Sequence, residues 1–120
     1  MSVKRIQRKR TLGWKMPENT VYVGRGTKWG NPFAVGKSIP KHWESVFDDA
    51  DKFHYFKWMG DVETNEEAVY LFKKYCIPSV DELEIKELRG KNLACWCKEK
   101  ERFCHADELL KIANTELTVK

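Results

Sequence analysis

The stretch Val21–Phe33 has the composition of an anion-binding loop. Its first three residues predict the end of a strand, and three glycines then alternate with polar residues. Glycine lets a ligand come close to the backbone, so several amide N–H groups can turn toward one point. Arg25 and Lys28 would add positive charge there, and Trp29 would offer a flat face to a base. The candidate ligand-binding residues of this loop are Gly24, Arg25, Gly26, Thr27, Lys28, Trp29 and Asn31.

An ordinary connection between two elements would use the same residue types. Glycine, asparagine and proline are common in turns, and Arg25 and Lys28 would then be solvated while Trp29 and Phe33 cover a core. The stretch matches neither the Walker phosphate loop nor the G-x-G-x-x-G dinucleotide fingerprint. The sequence leaves both interpretations open.

A second dense stretch, Cys95–His105, carries three thiols and an imidazole. We interpret it as a strand, a loop and the start of a final helix, with Cys104 at the helix N-terminus. Unpaired N–H groups and the helix dipole lower the pKa of a thiol at such a position. Cys104, His105 and Asp107 are therefore candidate catalytic residues, a nucleophile with two proton carriers. The further residues expected to line the ligand site are Trp96 and Cys97.

Two other interpretations of this stretch remain open. Zinc could be held by Cys95, Cys97, Cys104 and His105, but structural zinc sites commonly use C-x₂₋₄-C pairs, whereas this chain has a C-x-C pair and an adjacent Cys-His pair. Closing both pairs on one ion would bend the backbone, so we predict no metal. Alternatively, the cysteines are small buried apolar residues and His105 is a structural side chain.

The composition favours a small cytoplasmic protein. With 120 residues, of which 42% are hydrophobic, the chain can build one core, and we predict a single domain over residues 1–120. No apolar run is long enough for a membrane span, and no apolar stretch follows the basic N-terminus as a secretory signal would require. The four cysteines are expected to stay reduced.

The net charge of +4 is distributed unevenly. Residues 1–30 carry eight cationic side chains against Glu18 alone, which gives +7, and residues 31–120 carry −3. A basic segment beside a glycine loop favours a polyanionic partner. Residues 1–10 contain a short predicted strand around Lys4–Arg8, and a flexible basic arm is the alternative for them.

Hydrophobic periodicity predicts helices between the strands. Helices are expected over residues 42–59, after a cap at Thr64 or Asn65, after Ser79 and over about Ala106–Ala113. Ser79 with Glu82 forms the pattern of a capping box for the third helix. The tail, residues 115–120, is expected to be loose.

Strands are predicted at Thr20–Val23 and Asn92–Trp96. Strands near both ends with helices between them indicate a small α/β domain, a sheet flanked by helices. If these two strands are parallel neighbours, the loops Gly24–Pro32 and Cys97–Cys104 leave the same edge of the sheet and share one crevice.

Three motifs carry a family resemblance: V-Y-V-G-R-G-T-K-W-G-N-P-F, L-R-G-K-N-L-A-C-W-C and C-H-A-D-E-L-L. Together they resemble the domain-of-unknown-function family numbered 4326, small proteins of bacteriophages and bacteria, over a span from about Lys9 to Asn114. The cysteine-bearing motifs are also similar to a second α/β family, numbered 488, which is grouped with Rossmann-like nucleotide-binding proteins. The resemblance implies a Rossmann-like sheet and a nucleotide-related crevice.

We therefore expect a nucleotide or nucleotide-derived phosphorylated small molecule to bind, with or without processing, between the Gly24–Pro32 loop and the Cys97–Asp107 segment. An enzyme at this site would be a nucleotide hydrolase or would cleave or transfer a glycosyl bond. The alternatives are a nucleic-acid-binding module that uses the basic N-terminus and a zinc-stabilised interaction protein. No cofactor and no membrane partner are expected, and the oligomeric state is open.

Overall fold

The computed structural model describes residues 3–58, 60–98 and 100–114. The expected loose tail at 115–120 lies outside the described residues. Contacts along the chain separate two compact units. We call the described parts of Met1–Gly30 and Val80–Lys120 the sheet unit, and Asn31–Ser79 the insert unit.

The sheet unit is built on three short parallel strands, β1 (Arg5–Gln7), β2 (Thr20–Tyr22) and β3 (Asn92–Cys95). The strand order is β1-β3-β2, so β3 is hydrogen-bonded on both sides. The pairing continues past the strand ends, because the N–H groups of Arg8 and Val23 donate to carbonyls of β3. As expected for a strand covered on both faces, Leu93 and Ala94 are fully buried.

Two helices of the sheet unit cover apolar residues. Helix α3 (Glu82–Ile85) continues as a 3₁₀ turn through Leu88. Helix α4 (His105–Asn114) follows the loop after β3. These helices bury Ile85, Leu88, Ala106, Leu109 and Ala113.

The insert unit is helical. A 3₁₀ turn (Lys41–Ser45) precedes α1 (Asp49–Lys52), which continues as a π-helical turn over Phe53–Lys57. Helix α2 (Asn65–Leu71) continues in the same way over Phe72–Cys76, and a 3₁₀ turn (Ile77–Ser79) ends the unit. The buried core comprises Phe33, Ile39, Phe47, Tyr55, Val62, Ala68 and Leu71.

A polar cluster ties the helical segments of the insert unit together. The buried Asp51 carboxylate accepts hydrogen bonds from Tyr75 Oη at 2.7 Å, Lys74 Nζ at 3.0 Å and Tyr70 Oη at 3.2 Å. Burial, together with the bond to Asp51, raises the pKa of Tyr75 to about 12. Because these groups satisfy one another, we assign the cluster a structural role.

The helix boundaries differ from the sequence prediction at two places. The segment 42–59 is not one helix, because the Asp48 side chain accepts the N–H of Asp51 and starts α1 anew. The Ser79–Glu82 capping box is wrong, because Asp81 caps α3 through the N–H of Leu83, at 2.7 Å, while Ser79 ends the preceding turn. Of the two residues expected as caps of α2, Thr64 and Asn65, Thr64 is the cap.

None of the helices in the described part of the chain has the length and apolarity needed to cross a lipid bilayer.

The central position of β3 makes a prediction about stability. Leu93→Ala leaves a cavity beneath the sheet and should lower the free energy of unfolding by about 2–5 kcal/mol in urea denaturation. Leu83→Ala makes the same chemical change on α3, where the side chain is 73% exposed. It should alter the free energy of unfolding by less than about 0.5 kcal/mol. Equal effects would contradict the assignment of β3 as the core strand.

Candidate functional site

The two informative loops leave the same edge of the sheet. Strands β2 and β3 are parallel and adjacent, so the condition under which the two loops leave the same edge of the sheet is met. A direct contact joins the segments that follow them: His105 Nε2, in the first turn of α4, lies 2.7 Å from the carbonyl oxygen of Val23. We call this side of the sheet unit the carboxyl edge.

The glycine loop is a pair of turns that uses several of its own amides. The carbonyl of Gly24 accepts both the N–H and the hydroxyl of Thr27, at 3.2 and 2.7 Å. The Thr27 hydroxyl also accepts the N–H of Trp29, and the Thr27 carbonyl accepts that of Gly30. The amides of Thr27, Trp29 and Gly30 are therefore engaged inside the loop, which does not form the fully open amide cradle that the sequence suggested.

Glycine is required at two positions of these turns. Gly26 has a φ of +96°, which suits the third position of a type II turn and strains other residues. Gly30 packs against the first turn, where an added Cβ would lie 2.9 Å from the Gly24 carbonyl oxygen. The glycine spacing is thus explained by the shape of the loop, without a ligand.

The other predicted residues of this loop have different surroundings. Trp29 is only 7% exposed, so it does not offer a face for stacking. Lys28 forms ion pairs with Glu84 at 3.2 Å and Glu87 at 3.4 Å, and its hydrogen bond to Glu84 is the main reason why its pKa is raised. Arg25 is exposed to solvent.

Asn31 belongs to the insert unit, where its amide donates to the carbonyl of Ala68. Its side-chain oxygen accepts the N–H of Phe33. Both ends of this side chain are used in local structure.

A cluster of aromatic and cationic side chains stands at the carboxyl edge. Trp96, which directly follows β3, is 40% exposed, and the guanidinium carbons of Arg8 and Arg10 each lie 4.8 Å from its ring centroid. Arg8 also lies 4.6 Å from the ring centroid of Tyr22, the last residue of β2. The sequence analysis proposed Trp96 but did not connect it with these arginines. The alternation of side chains along extended backbone, which places residues 8 and 10 on one face, is the signal that could have done so.

A shallow depression of about 330 Å³ lies in the loop between β3 and α4. Its lining comes from this loop alone: Lys98, Lys100, Glu101, Arg102 and Phe103. The expectation that Gly24–Pro32 forms a wall of the pocket therefore does not hold for this depression. Three cations line it against one carboxylate, which favours an anionic occupant.

Three thiols converge beneath the exposed edge. The Sγ atoms of Cys95, Cys97 and Cys104 all lie within 4.8 Å of one another, and those of Cys95 and Cys104 are 3.2 Å apart. Hydrogen bonds from the other two thiols, with smaller contributions from His105 and the N–H of Ala106, lower the pKa of Cys104. The same bonds raise the pKa of Cys95, and that of Cys97 to about 11. The arrangement thus favours the thiolate form at Cys104 more than at the other two thiols, as expected for a helix N-terminus.

Arg5 connects the thiol cluster to the depression. Its Nη2 donates to the carbonyls of Glu101 at 2.6 Å and Lys98 at 3.2 Å, and its Nη1 lies 3.2 Å from a carboxylate oxygen of Asp107. Arg5 also hydrogen-bonds Cys104, which raises the pKa of the guanidinium against the opposing effect of its burial. A single cation therefore contacts the loop, the Cys104 sulfur and the Asp107 carboxylate.

The three candidate catalytic residues do not present free polar atoms to a common point. Cys104 is 2% exposed, His105 Nε2 contacts the Val23 carbonyl, and Asp107 pairs with Arg5. Burial raises the pKa of Asp107, more than Arg5 lowers it. This arrangement stabilises the junction between β3 and α4. It agrees with the interpretation in which His105 is a structural side chain.

The fold and the site together define an α/β protein with a parallel sheet and a basic, aromatic carboxyl edge. The chain belongs to the family described as "Domain of unknown function (DUF4326)", whose model matches residues 6–115. No curated protein and no solved structure matches the chain. The family resemblance predicted from the motifs is thus confirmed over nearly the whole sequence.

The role of Arg5 can be tested with a substitution that keeps its charge. Arg5→Lys loses the planar fork that reaches two carbonyls and a carboxylate. We expect faster amide hydrogen exchange over residues 100–104 and a free energy of unfolding lower by about 1–3 kcal/mol. Arg10→Lys is the same change at an exposed position and should have neither effect. If the two variants behave alike, Arg5 does not organise the loop.

Proposed function

We propose that the carboxyl edge binds a nucleotide or a nucleotide-derived phosphorylated small molecule. The observation that carries this proposal is the exposed ring of Trp96, directly after the central strand, with the guanidinium groups of Arg8 and Arg10 beside it. Aromatic rings and guanidinium planes are the surfaces on which bases stack. The cations offer charge-assisted hydrogen bonds to phosphate.

The two parts of such a ligand have separate contacts. The base stacks on the exposed part of Trp96. The phosphates meet Lys98, Lys100 and Arg102 around the depression of the loop, with Arg25 as a further exposed cation. In open sheets with parallel strands, ligands bind outside the carboxyl ends of the strands, which supports this placement and a Rossmann-like assignment of the sheet.

Binding is favoured over catalysis. The polar atoms of the three candidate catalytic residues already have partners within the protein. Cys104 hydrogen-bonds the other two thiols, His105 contacts the Val23 carbonyl, and Asp107 pairs with Arg5. A nucleophile and a base need to reach the reacting atoms of a substrate. We therefore assign these residues to the support of the site.

A mononucleotide is favoured over a nucleic-acid strand. Strand-binding proteins present a series of aromatic side chains along a basic groove, one for each successive base. In the described part of the sheet unit, Trp96 is the one exposed large aromatic side chain. The site is therefore the size of one base with its phosphates.

Isothermal titration with ADP, AMP and inorganic phosphate at low ionic strength tests the proposal. We expect ADP to bind more tightly than AMP, and both more tightly than phosphate, because charge and stacking add. Trp96→Leu should lower the affinity for ADP roughly 5- to 100-fold, which is the effect expected when one stacking contact is lost. Trp58→Leu removes another exposed tryptophan, which lies in the insert unit, and should leave ADP affinity unchanged.

A second pair of variants tests the cations. Arg25→Ala should lower the affinity for ADP. Lys4→Ala should leave it unchanged, because Lys4 precedes β1 at the opposite edge of the sheet. Failure of the wild-type protein to bind ADP at millimolar concentration would refute the proposal. Tighter binding of a single-stranded oligonucleotide than of ADP, with a steep loss of affinity in salt, would favour the nucleic-acid alternative.

A further inference from the structure

We propose that Cys95, Cys97 and Cys104 bind one Zn²⁺ ion through their three sulfur atoms. Their Sγ atoms lie within 4.8 Å of one another, although the residues come from the end of β3 and the residue before α4. Tetrahedral zinc with Zn–S bonds of about 2.3 Å holds its sulfur ligands roughly 3.8 Å apart. The Cys95–Cys104 pair, at 3.2 Å, would need to open by roughly 0.6 Å to reach that spacing.

The backbone already provides the convergence that the spacing in the sequence argued against. Cys95 ends β3, and the chain bends at Trp96 and Cys97. The Sγ atoms of Cys95 and Cys97 lie within 4.8 Å of each other. Cys104, directly before α4, meets this pair, and Arg5 holds the connection to it through the carbonyls of Lys98 and Glu101. No C-x₂-C knuckle is needed to bring the three sulfurs together.

The charges around the cluster suit a zinc–thiolate complex. Three thiolates on Zn²⁺ leave one net negative charge, which needs compensation in a buried place. Arg5 supplies a cation hydrogen-bonded to Cys104, and the N–H of Ala106 at the start of α4 donates to the same sulfur. Soft thiolate ligands select metals such as zinc over magnesium or calcium.

Zinc keeps its fourth coordination position for an external ligand. His105 was the fourth candidate in the sequence, but its Nε2 lies on the Val23 carbonyl, and the group of mutually close ligand atoms contains the three sulfurs alone among the described residues. Cys97 is half-buried whereas Cys95 and Cys104 are buried, so the site is most accessible from the side of Cys97. Water or a small anion therefore completes the tetrahedron.

The metal content of protein purified under reducing conditions without chelators tests this inference. Elemental analysis should give one zinc per chain, and cobalt substitution should give the intense visible bands of a tetrahedral site with a sulfur-to-cobalt charge-transfer band. Cys97→Ser should bind zinc roughly a hundredfold more weakly, measured by competition with a chromophoric chelator. Cys76→Ser, in the insert unit, should keep the wild-type affinity.

Cys97→Ser is the decisive variant because its side chain is half-buried, whereas Cys95→Ser and Cys104→Ser change buried positions. Its circular dichroism should match that of the wild type, and a chelator should lower the melting temperature of the wild type but not of this variant. The inference is overturned if reconstituted wild type holds no metal, if iron or copper replaces zinc in stoichiometric amount, or if Cys97→Ser retains full affinity. None of these results depends on nucleotide binding, so the two proposals fail separately.

Discussion

The pairing of β3 on both sides is the constraint on which the site depends. Because β1 and β2 run parallel to the same central strand, the three carboxyl ends lie at one edge, and the segments that follow them are forced together. Three very short strands contribute few ladder hydrogen bonds, so the sheet depends on the burial of Leu93 and Ala94 by its neighbours. The contact between His105 and the Val23 carbonyl then fixes α4 to the end of β2.

Arg5 places one positive charge among the segments that meet at the carboxyl edge. It lies on an edge strand near the N-terminus, yet it reaches the loop after β3, the sulfur of Cys104 and the first turn of α4. A guanidinium group suits this position because its fixed donors can serve several acceptors at once. The basic N-terminal segment is therefore part of the folded sheet unit, and its deletion would remove β1 as well as positive charge.

The sequence predicted the elements that depend on local patterns and missed those that depend on long-range contacts. The strands β2 and β3, a cap at the start of α2 and the position of Cys104 before the last helix followed from residue types, periodicity and capping rules. The parallel pairing of β2 and β3 was only a condition in the sequence analysis. Trp29 was expected to face a ligand, because nothing in a glycine-rich loop shows which aromatic residue the core will cover. The meeting of Arg8 and Arg10 with Trp96 spans most of the chain, and it required the strand order to be known.

The thiol cluster and the ring of Trp96, with its neighbouring arginines, share one short piece of backbone. Trp96 lies between Cys95 and Cys97, and its side chain is 40% exposed, whereas Cys95 is buried and Cys97 is half-buried. A metal held by the thiols would restrict the backbone on both sides of Trp96 without touching its ring. If the metal already restricts the Trp96 ring, less conformational entropy is lost when a base stacks on it. By thermodynamic linkage, a bound nucleotide then favours the metal to the same extent. Zinc and a nucleotide would therefore each raise the affinity for the other, although they contact different side chains of the same three residues.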